Sequence, residues 1–315
     1  MESRWDVLSA VGAITCVWLL LRVAWGVARG VYVYLLPQAR RGSPWLRAQG
    51  AWAVVTGATG GIGRAYAHEL ARRGLNVVLI SRNLSKLELE AKEIERLHGR
   101  RTRVIQADFT GGLQIYGDIE AELQGLEVGV LVNNVAMTYG GNKLKRLLDC
   151  ENPAKSMMDV VNCNILSMVQ MTRIVLPQMV SRRRGVIVNL SSVASLRSVP
   201  LLAMYAASKA FVRSFSLAVA TEYRPLGITV QAVSPCVVST NMTSHPTPGP
   251  LIKLPEDFAR EALDTLGLSS DVSGCLSHAL QTLLMPVVLP EWLIHTPWGS
   301  QLLLKVTGSL MDLSE

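Results

Sequence analysis

Tyr205 and Lys209 stand four apart in the run YAASK, a spacing that puts a phenol and an ammonium on one face of a helix. Side by side they can move a proton, provided a nearby positive charge brings the phenol's ordinary pKa of roughly 10 toward neutrality. Ser192, thirteen residues earlier at the end of an apolar run, can hydrogen-bond the same reacting oxygen, and Asn164 lies further upstream. A Tyr-x-x-x-Lys pair is common on helices and means little alone. Its weight here comes from a second feature.

That feature is the run Thr56-Gly57-Ala58-Thr59-Gly60-Gly61-Ile62-Gly63. Glycine meets two needs at such a place: the chain must turn sharply, and its backbone must approach a pyrophosphate closely. The amides of a following helix then face the phosphates. An ordinary strand-to-helix turn also uses glycine, so the reading depends on a strand before and a helix after. The next strand ends at Ser81-Arg82, where dinucleotide folds place an acid on the ribose hydroxyls that would repel a 2′-phosphate. A guanidinium stands there instead and can pair with that phosphate, although an exposed surface arginine would look the same. NADP(H) is therefore the expected cofactor. The cations that favour a phenolate are then Lys209 and the oxidised nicotinamide ring.

These groups need a scaffold that gathers strand ends. The runs Ala53–Gly57, Asn76–Ser81, Arg103–Asp108, Val128–Asn134, Gly185–Ser192 and Ile228–Pro235 read as buried strands. A helical pattern runs from about Gly63 to Arg73, closed by Gly74, and Lys86–Leu97 is a charged amphipathic helix. Continuous β-branched runs separated by helices specify a parallel sheet covered on both faces, an α/β, doubly wound, Rossmann-like domain. The expected organisation is a membrane anchor (1–36), a basic linker (37–50), a dinucleotide-binding catalytic domain (51–260) and an apolar C-terminal extension (261–315).

With 315 residues, the chain fits one large domain with appendages, and 49% hydrophobic residues direct attention to a membrane segment. Val7 to Ala28 is such a segment, long enough to cross a bilayer, with Arg22 as its only charge and near one end. Arg29, Arg40, Arg41 and Arg47 follow it while Arg4 alone precedes it, which places the bulk of the chain in the cytosol. The sequons at Asn83, Asn189 and Asn241 would then stay unmodified. A second apolar region, Leu280 to Val306, is broken by Pro286, Pro290 and Pro297 and suits a membrane surface or a pocket cap. The net charge of +7 lies in short clusters without interleaved aromatics, a poor footprint for nucleic acid. Cys16, Cys150, Cys163, Cys236 and Cys275, like the five histidines, show no metal-ligand spacing, and the cysteines read as small buried hydrophobes in a reducing compartment.

TGATGGIG, the NNVA at Asn133 to Ala136, Ser192 and YAASK together resemble the short-chain dehydrogenase/reductases, over roughly Gly50 to Thr240. The resemblance implies a catalytic tetrad of Asn164, Ser192, Tyr205 and Lys209. The tyrosine would protonate the carbonyl oxygen, the serine orient it, the lysine lower the tyrosine pKa and bind the nicotinamide ribose, and the asparagine hold a water in a proton relay. It also implies cofactor contacts from Thr56, Gly57, Thr59, Gly61, Ile62, Gly63, Ser81, Arg82, Asp108 near the adenine, Asn134, Pro235 and Val238, with pairing of subunits. The family's usual Pro-Gly after the last core strand is Pro235-Cys236 here, which should alter the loop beside the nicotinamide.

Within that family, RGLNVVLISRNLSKLE, IQADFT, GLEVGVLVNNV and SKAFVRSFS resemble the membrane-bound 17β-hydroxysteroid dehydrogenases. One branch of these reduces 17-ketosteroids in microsomes and another reduces 3-oxoacyl-CoA in fatty-acid elongation. The first activity is the leading expectation, the second its rival, and a catalytically silent membrane scaffold the third. The terminal Met311 to Glu315 carries no lysine-based retrieval signal, so residence in the endoplasmic reticulum is expected from the N-terminal segment and the resemblance. Val237 to Phe258 and the loop from Met137 to Asn142 are expected to form the substrate pocket, with Met204 and Met242 either touching an apolar ligand or simply filling the core.

Overall fold

The structure, a computed structural model, describes residues 2–35, 43–141, 144–299 and 301, without the side chains of 2–6 and 287. Arg40, Arg41, Asn142 and the end of the second apolar region lie outside the described residues.

Seven strands form one parallel sheet: β1 (Trp52–Thr56), β2 (Asn76–Ser81), β3 (Thr102–Gln106), β4 (Val128–Asn133), β5 (Gly185–Leu190), β6 (Ile228–Val233) and β7 (Asp271–Val272). Their order is β3-β2-β1-β4-β5-β6-β7. The chain works outward from β1 to β3, then returns to the other side of β1 with β4, so the topological switch lies between β1 and β4. Successive side chains of a strand point to opposite faces, and the two faces carry separate cores. Val55, Val77, Val130 and Val186 pack under α3 (Gly61–Arg72), α4 (Leu84–His98) and α9 (Pro255–Asp264). Val54, Val78, Leu131 and Ile187 pack under α5 (Tyr116–Leu123), α7 (Ser167–Ser181) and α8 (Ala203–Tyr223). With both faces covered, the central strands have no polar face, which is why they read as unbroken apolar runs.

The expected fold is present, with small shifts at strand ends. The third strand stops at Gln106 and the fifth at Leu190, so Asp108 and Ser192 each sit two residues beyond the sheet. β7 is two residues long, too short for any periodicity to announce it. Among the sequons, Asn189 is completely buried in β5, which bars glycosylation at that site in the folded chain.

α1 (Glu2–Gly30) projects apolar side chains outward, and none of its apolar window is buried; by length and composition it is a candidate membrane span. The segment 153–181 passes the same length test, but α6 (Pro153–Val161) and α7 are half buried in the body and belong to its core. Arg22 rests 5.3 Å from the Trp18 ring. After a π turn (Val31–Leu35) and the short α2 (Ser43–Arg47), the chain enters β1. Arg29 at the end of α1 donates to Ser269 Oγ (2.9 Å) and to the Asp271 carbonyl (2.8 Å), while the Tyr34 hydroxyl accepts from Ser273 N (2.8 Å). The last elements given a range among the described residues are α10 (Leu276–Val288) and α11 (Glu291–Ile294).

Candidate active site

The glycine turn joins β1 to α3 at the switch point. Thr56 Oγ1 accepts from the amides of Asn134 (3.0 Å) and Val135 (3.2 Å), and Asn134 Nδ2 donates to the carbonyls of Thr56 (3.0 Å) and Gly57 (3.3 Å). The ends of β1 and β4 are thus clamped to each other by side chains. Two glycines are obligatory. Gly57 has φ +66°, and a Cβ on Gly63 would lie 2.3 Å from the Gly57 carbonyl oxygen and 2.4 Å from Asn134 Nδ2. Thr59 Oγ1 and Ser81 Oγ are 2.9 Å apart, tying the turn to β2. Gly60 precedes α3 and gives it no side-chain cap, so the first-turn amides stay open to a phosphate. Ile62 packs against the core beneath, and Thr240 borders the turn at Gly61. The cradle fits a dinucleotide pyrophosphate.

Beside it runs a cleft of about 380 Å³ whose lining includes Gly57, Ser81, Arg82, Asp108, Met137 and Met242. Arg82 is exposed at its edge, its carbonyl held by Gln106 Nε2 at 3.0 Å. Asp108 accepts from Thr110 N (3.0 Å) and Thr110 Oγ1 (2.9 Å), which orients its carboxylate on the turn after β3.

The residues expected to transfer the proton gather at the carboxyl ends of β4, β5 and β6. Asn164 lies in a π turn (Asn162–Leu166) between α6 and α7. Such a widened turn re-aims a side chain and is frequent at functional sites. Buried there, Asn164 accepts from Met137 N (2.8 Å), donates to Met137 O (2.9 Å) and reaches Ser208 Oγ (2.9 Å). Ser208 Oγ in turn donates to the Tyr205 carbonyl (2.7 Å). Ser192 caps a short 3-10 turn, accepting from Ala194 N at 3.1 Å, and its hydroxyl acts on the Tyr205 phenol to ease its ionisation. Lys209 is buried, with Nζ 5.7 Å from the centre of the Tyr205 ring and donating to the Leu190 carbonyl at 2.7 Å.

The electrostatics differ from the sequence-based expectation. Burial holds the Tyr205 phenol above its ordinary value, and the Ser192 hydroxyl only partly offsets it. Burial also lowers the Lys209 ammonium, to about 8, against a weak opposing pull from Cys163. Within the protein's own groups, desolvation therefore wins over charge–charge attraction.

On the far side of the cleft, Pro235 is buried and its carbonyl accepts from Val193 N (2.9 Å), which joins the loop after β6 to Ser192. Val238 is buried and bridges to Lys253. Cys236, where glycine was expected, donates its amide to His278 Nδ1 (3.3 Å). His278 had no sequence signal: it is fully buried, and burial lowers its pKa to about 4. Ser208 and Thr56 carry contacts that spacing alone did not reveal.

Some expectations require correction. Phe258 is a core residue against His278 and Gly274 rather than pocket lining, and Met204 packs against Tyr139, Cys150 and Val160. Met242 does line the cleft. Cys16 is exposed on α1, not a buried hydrophobe. His68, Glu90 and Glu93 converge without any sequence spacing to predict it, and Arg64 bridges both carboxylates at 2.8 and 2.9 Å.

The short chain dehydrogenase family profile matches residues 51–249. The chain belongs to the short-chain dehydrogenase/reductases. Over 301 residues, 95% of this chain and 94% of the relative, it is 43% identical to the rat (Rattus norvegicus) protein named 17-beta-hydroxysteroid dehydrogenase type 3. It is 42% identical over 297 residues to very-long-chain 3-oxoacyl-CoA reductase-B of Danio rerio, covering 94% and 93% of the two chains. Among solved structures, the short-chain dehydrogenase from Sphingobium yanoikuyae in complex with NADPH superposes with a TM-score of 0.56 at 25% identity, over 83% of this chain and 95% of that one. Members of this family are oxidoreductases that use a nicotinamide dinucleotide, the group for which the glycine cradle has room.

The cradle makes a direct prediction. Gly63→Ala forces a methyl against backbone atoms that cannot move independently, an overpacking cost of about 1–3 kcal/mol. Cofactor affinity, measured by quenching of protein fluorescence, should fall roughly ten- to hundredfold. Unchanged affinity would locate the dinucleotide elsewhere.

Proposed function

We propose that the chain reduces a 17-ketosteroid with NADPH, a reaction of the androstenedione-to-testosterone type. One observation carries this reading: the Tyr205 phenol, influenced by the Ser192 hydroxyl and one helical turn from Lys209, stands at the same sheet edge as the glycine cradle and Arg82. The name of the rat relative supports a steroid, and the NADPH complex of the Sphingobium protein supports the phosphorylated cofactor.

Bound NADPH supplies the hydride. Thr56, Gly57, Thr59, Gly61, Ile62, Gly63 and Asn134 form the turn that holds its pyrophosphate, Ser81 and Arg82 take the 2′-phosphate, Asp108 sits at the adenine, and Pro235 and Val238 border the nicotinamide. Ser192 holds the substrate carbonyl oxygen by a hydrogen bond. Tyr205 gives its phenolic proton to that oxygen, which leaves the alcohol and a phenolate. Lys209 binds the ribose and steadies the phenolate. Asn164 is already committed to Met137 and Ser208, so it serves first to fix the cleft wall and second to hold a relay water.

We further propose that α1 spans the endoplasmic reticulum membrane, that residues 51–260 form the catalytic domain on the cytosolic side, and that the chain pairs as a homodimer. The arginines after the span support the orientation.

A second reading, reduction of a 3-oxoacyl-CoA, draws on the Danio relative and on one structural detail. The Tyr139 hydroxyl donates to the Lys145 carbonyl (2.9 Å), which ties Lys145 and the exposed Arg146 to the loop whose Met137, Thr138 and Gly141 line the cleft, and these two cations would suit CoA phosphates.

Three outcomes test these readings. Membranes carrying the chain should consume NADPH with androstenedione and not with a 3-oxoacyl-CoA, and Tyr205→Phe should abolish turnover while cofactor binding persists. A variant that keeps its rate removes Tyr205 as the acid. Arg82→Asp should weaken NADPH roughly thirtyfold, about 2 kcal/mol, and NADH far less; an equal loss for both makes the arginine mere surface. Finally, kcat for reduction should fall above about pH 8 as Lys209 loses its proton, because Tyr205, held above its ordinary 10.0, is still protonated there. A basic limb at 10 or beyond would assign the titration to the phenol.

A further inference from the structure

Among the described residues, one face of α10 has no protein partner. Leu280, Leu283, Leu284 and Val288 follow helical spacing and are 49–70% exposed, and Trp292 and Trp298 beyond them are 71% and 62% exposed. Between Asp271 and Glu291 the sequence contains no Asp, Glu, Lys or Arg. An apolar stripe of this kind in water is costly, and its tryptophans belong to the type enriched at bilayer headgroups. At 13 residues α10 is too short to cross a membrane.

Where this face sits narrows what covers it. The end of α1 is bonded to residues 269–273 through Arg29 and Tyr34, and α10 begins three residues later at Leu276. A bilayer crossed by α1 therefore has its surface beside α10. Trp25, 73% exposed one turn before Arg29, marks the headgroup depth on α1. The opposite side of α10 lies on the site: the Cys236 thiol meets the His278 carbonyl and Thr282 Oγ1, both at 3.8 Å, and His278 Nδ1 takes the Cys236 amide. The loop after Ser192 is strapped to the same unit, with Arg197 donating to the Leu289 carbonyl (2.5 Å) and Ser198 Oγ paired with His295 Nε2 (2.8 Å).

We propose that the exposed face of α10 and the two tryptophans beyond it lie in the phospholipid surface of the membrane that α1 crosses, as a second, monotopic contact. One helix thickness then separates the lipid from the loop bordering the nicotinamide, so an apolar substrate can reach the site from the bilayer. This inference rests on the reading of α1 as a span, and the test separates the two.

The full chain is placed in phosphatidylcholine nanodiscs with p-benzoylphenylalanine at position 284, at 20 on α1, or at 89, an exposed leucine on α4. Irradiation should give a phospholipid adduct by mass spectrometry at 284 in yield within about threefold of that at 20, with at least tenfold less at 89. A lipid adduct at 20 without one at 284 overturns the proposal and leaves the anchor standing. An adduct at 284 with a peptide of this chain, from the same or a second copy, also overturns it, because protein then covers the face. Loss of lipid adducts at both 20 and 284 removes the anchor and the proposal together.

Discussion

The close approach of two backbone segments at the switch point constrains everything near it. The carbonyl of Gly57 lies where a Cβ of Gly63 would be, and the Asn134 amide fills the remaining space by holding the carbonyls of Thr56 and Gly57. A turn this tight points the first amides of α3 out of the sheet edge. It also fixes β4 to β1 beyond their shared ladder, because Thr56 Oγ1 takes two amides from the chain leaving β4. A methyl group or a lost amide at this point would displace the cradle and the cleft wall at Met137 together. The two halves of the doubly wound sheet meet here, so an error of an ångström would shift the glycine cradle relative to the Tyr205 phenol.

The second set of constraints fixes α8, which carries Tyr205 and Lys209. Asn133 in β4 donates to Asn189 in β5 (2.8 Å), and Asn189 donates to Ser216 on α8 (2.9 Å). Ser191 Oγ donates to the Lys209 carbonyl (2.8 Å), and Asn164 reaches α8 through Ser208. These groups are buried, so each unmade bond would cost the desolvation of a polar group. Apolar packing alone lets a helix slide along a sheet at small cost. A polar chain with one satisfied register does not, and it sets the distance between the phenol and the strand ends.

The sequence carried the sheet, and it marked candidate reactive side chains, because both depend on local rules. Runs such as Val77 to Ile80 have no polar face, and glycines or a Tyr-x-x-x-Lys spacing mark chemistry that few alternatives satisfy. What it concealed was relational. His278 reaches Cys236 across some forty residues, and Arg64 closes over Glu90 and Glu93 from another helix; no periodicity encodes such meetings. Phe258 was assigned to a pocket by its place in the chain, whereas α9 turns it into the core against Gly274. β7 escaped because two residues hold no pattern. The burial that raises the Tyr205 phenol was hidden for a different reason: sequence spacing shows that Lys209 is near, whereas burial is a property of the folded surroundings.

That burial has a chemical use. In the proposed reduction the donor must hold its proton until hydride arrives, and a phenol kept above its usual value by burial would do so throughout the neutral range. The proton then moves downhill, since the alkoxide formed on the substrate is far more basic than a phenolate. Lys209, lowered to about 8 and bonded to Leu190, exerts its charge from a fixed point instead of pairing directly with the phenol. Direct pairing would favour the phenolate before reaction and empty the donor. Under that proposal, burial of both groups, with the ammonium 5.7 Å from the ring centre and hydrogen-bonded to a strand carbonyl, would keep the acid loaded and stabilise the anion only once it exists.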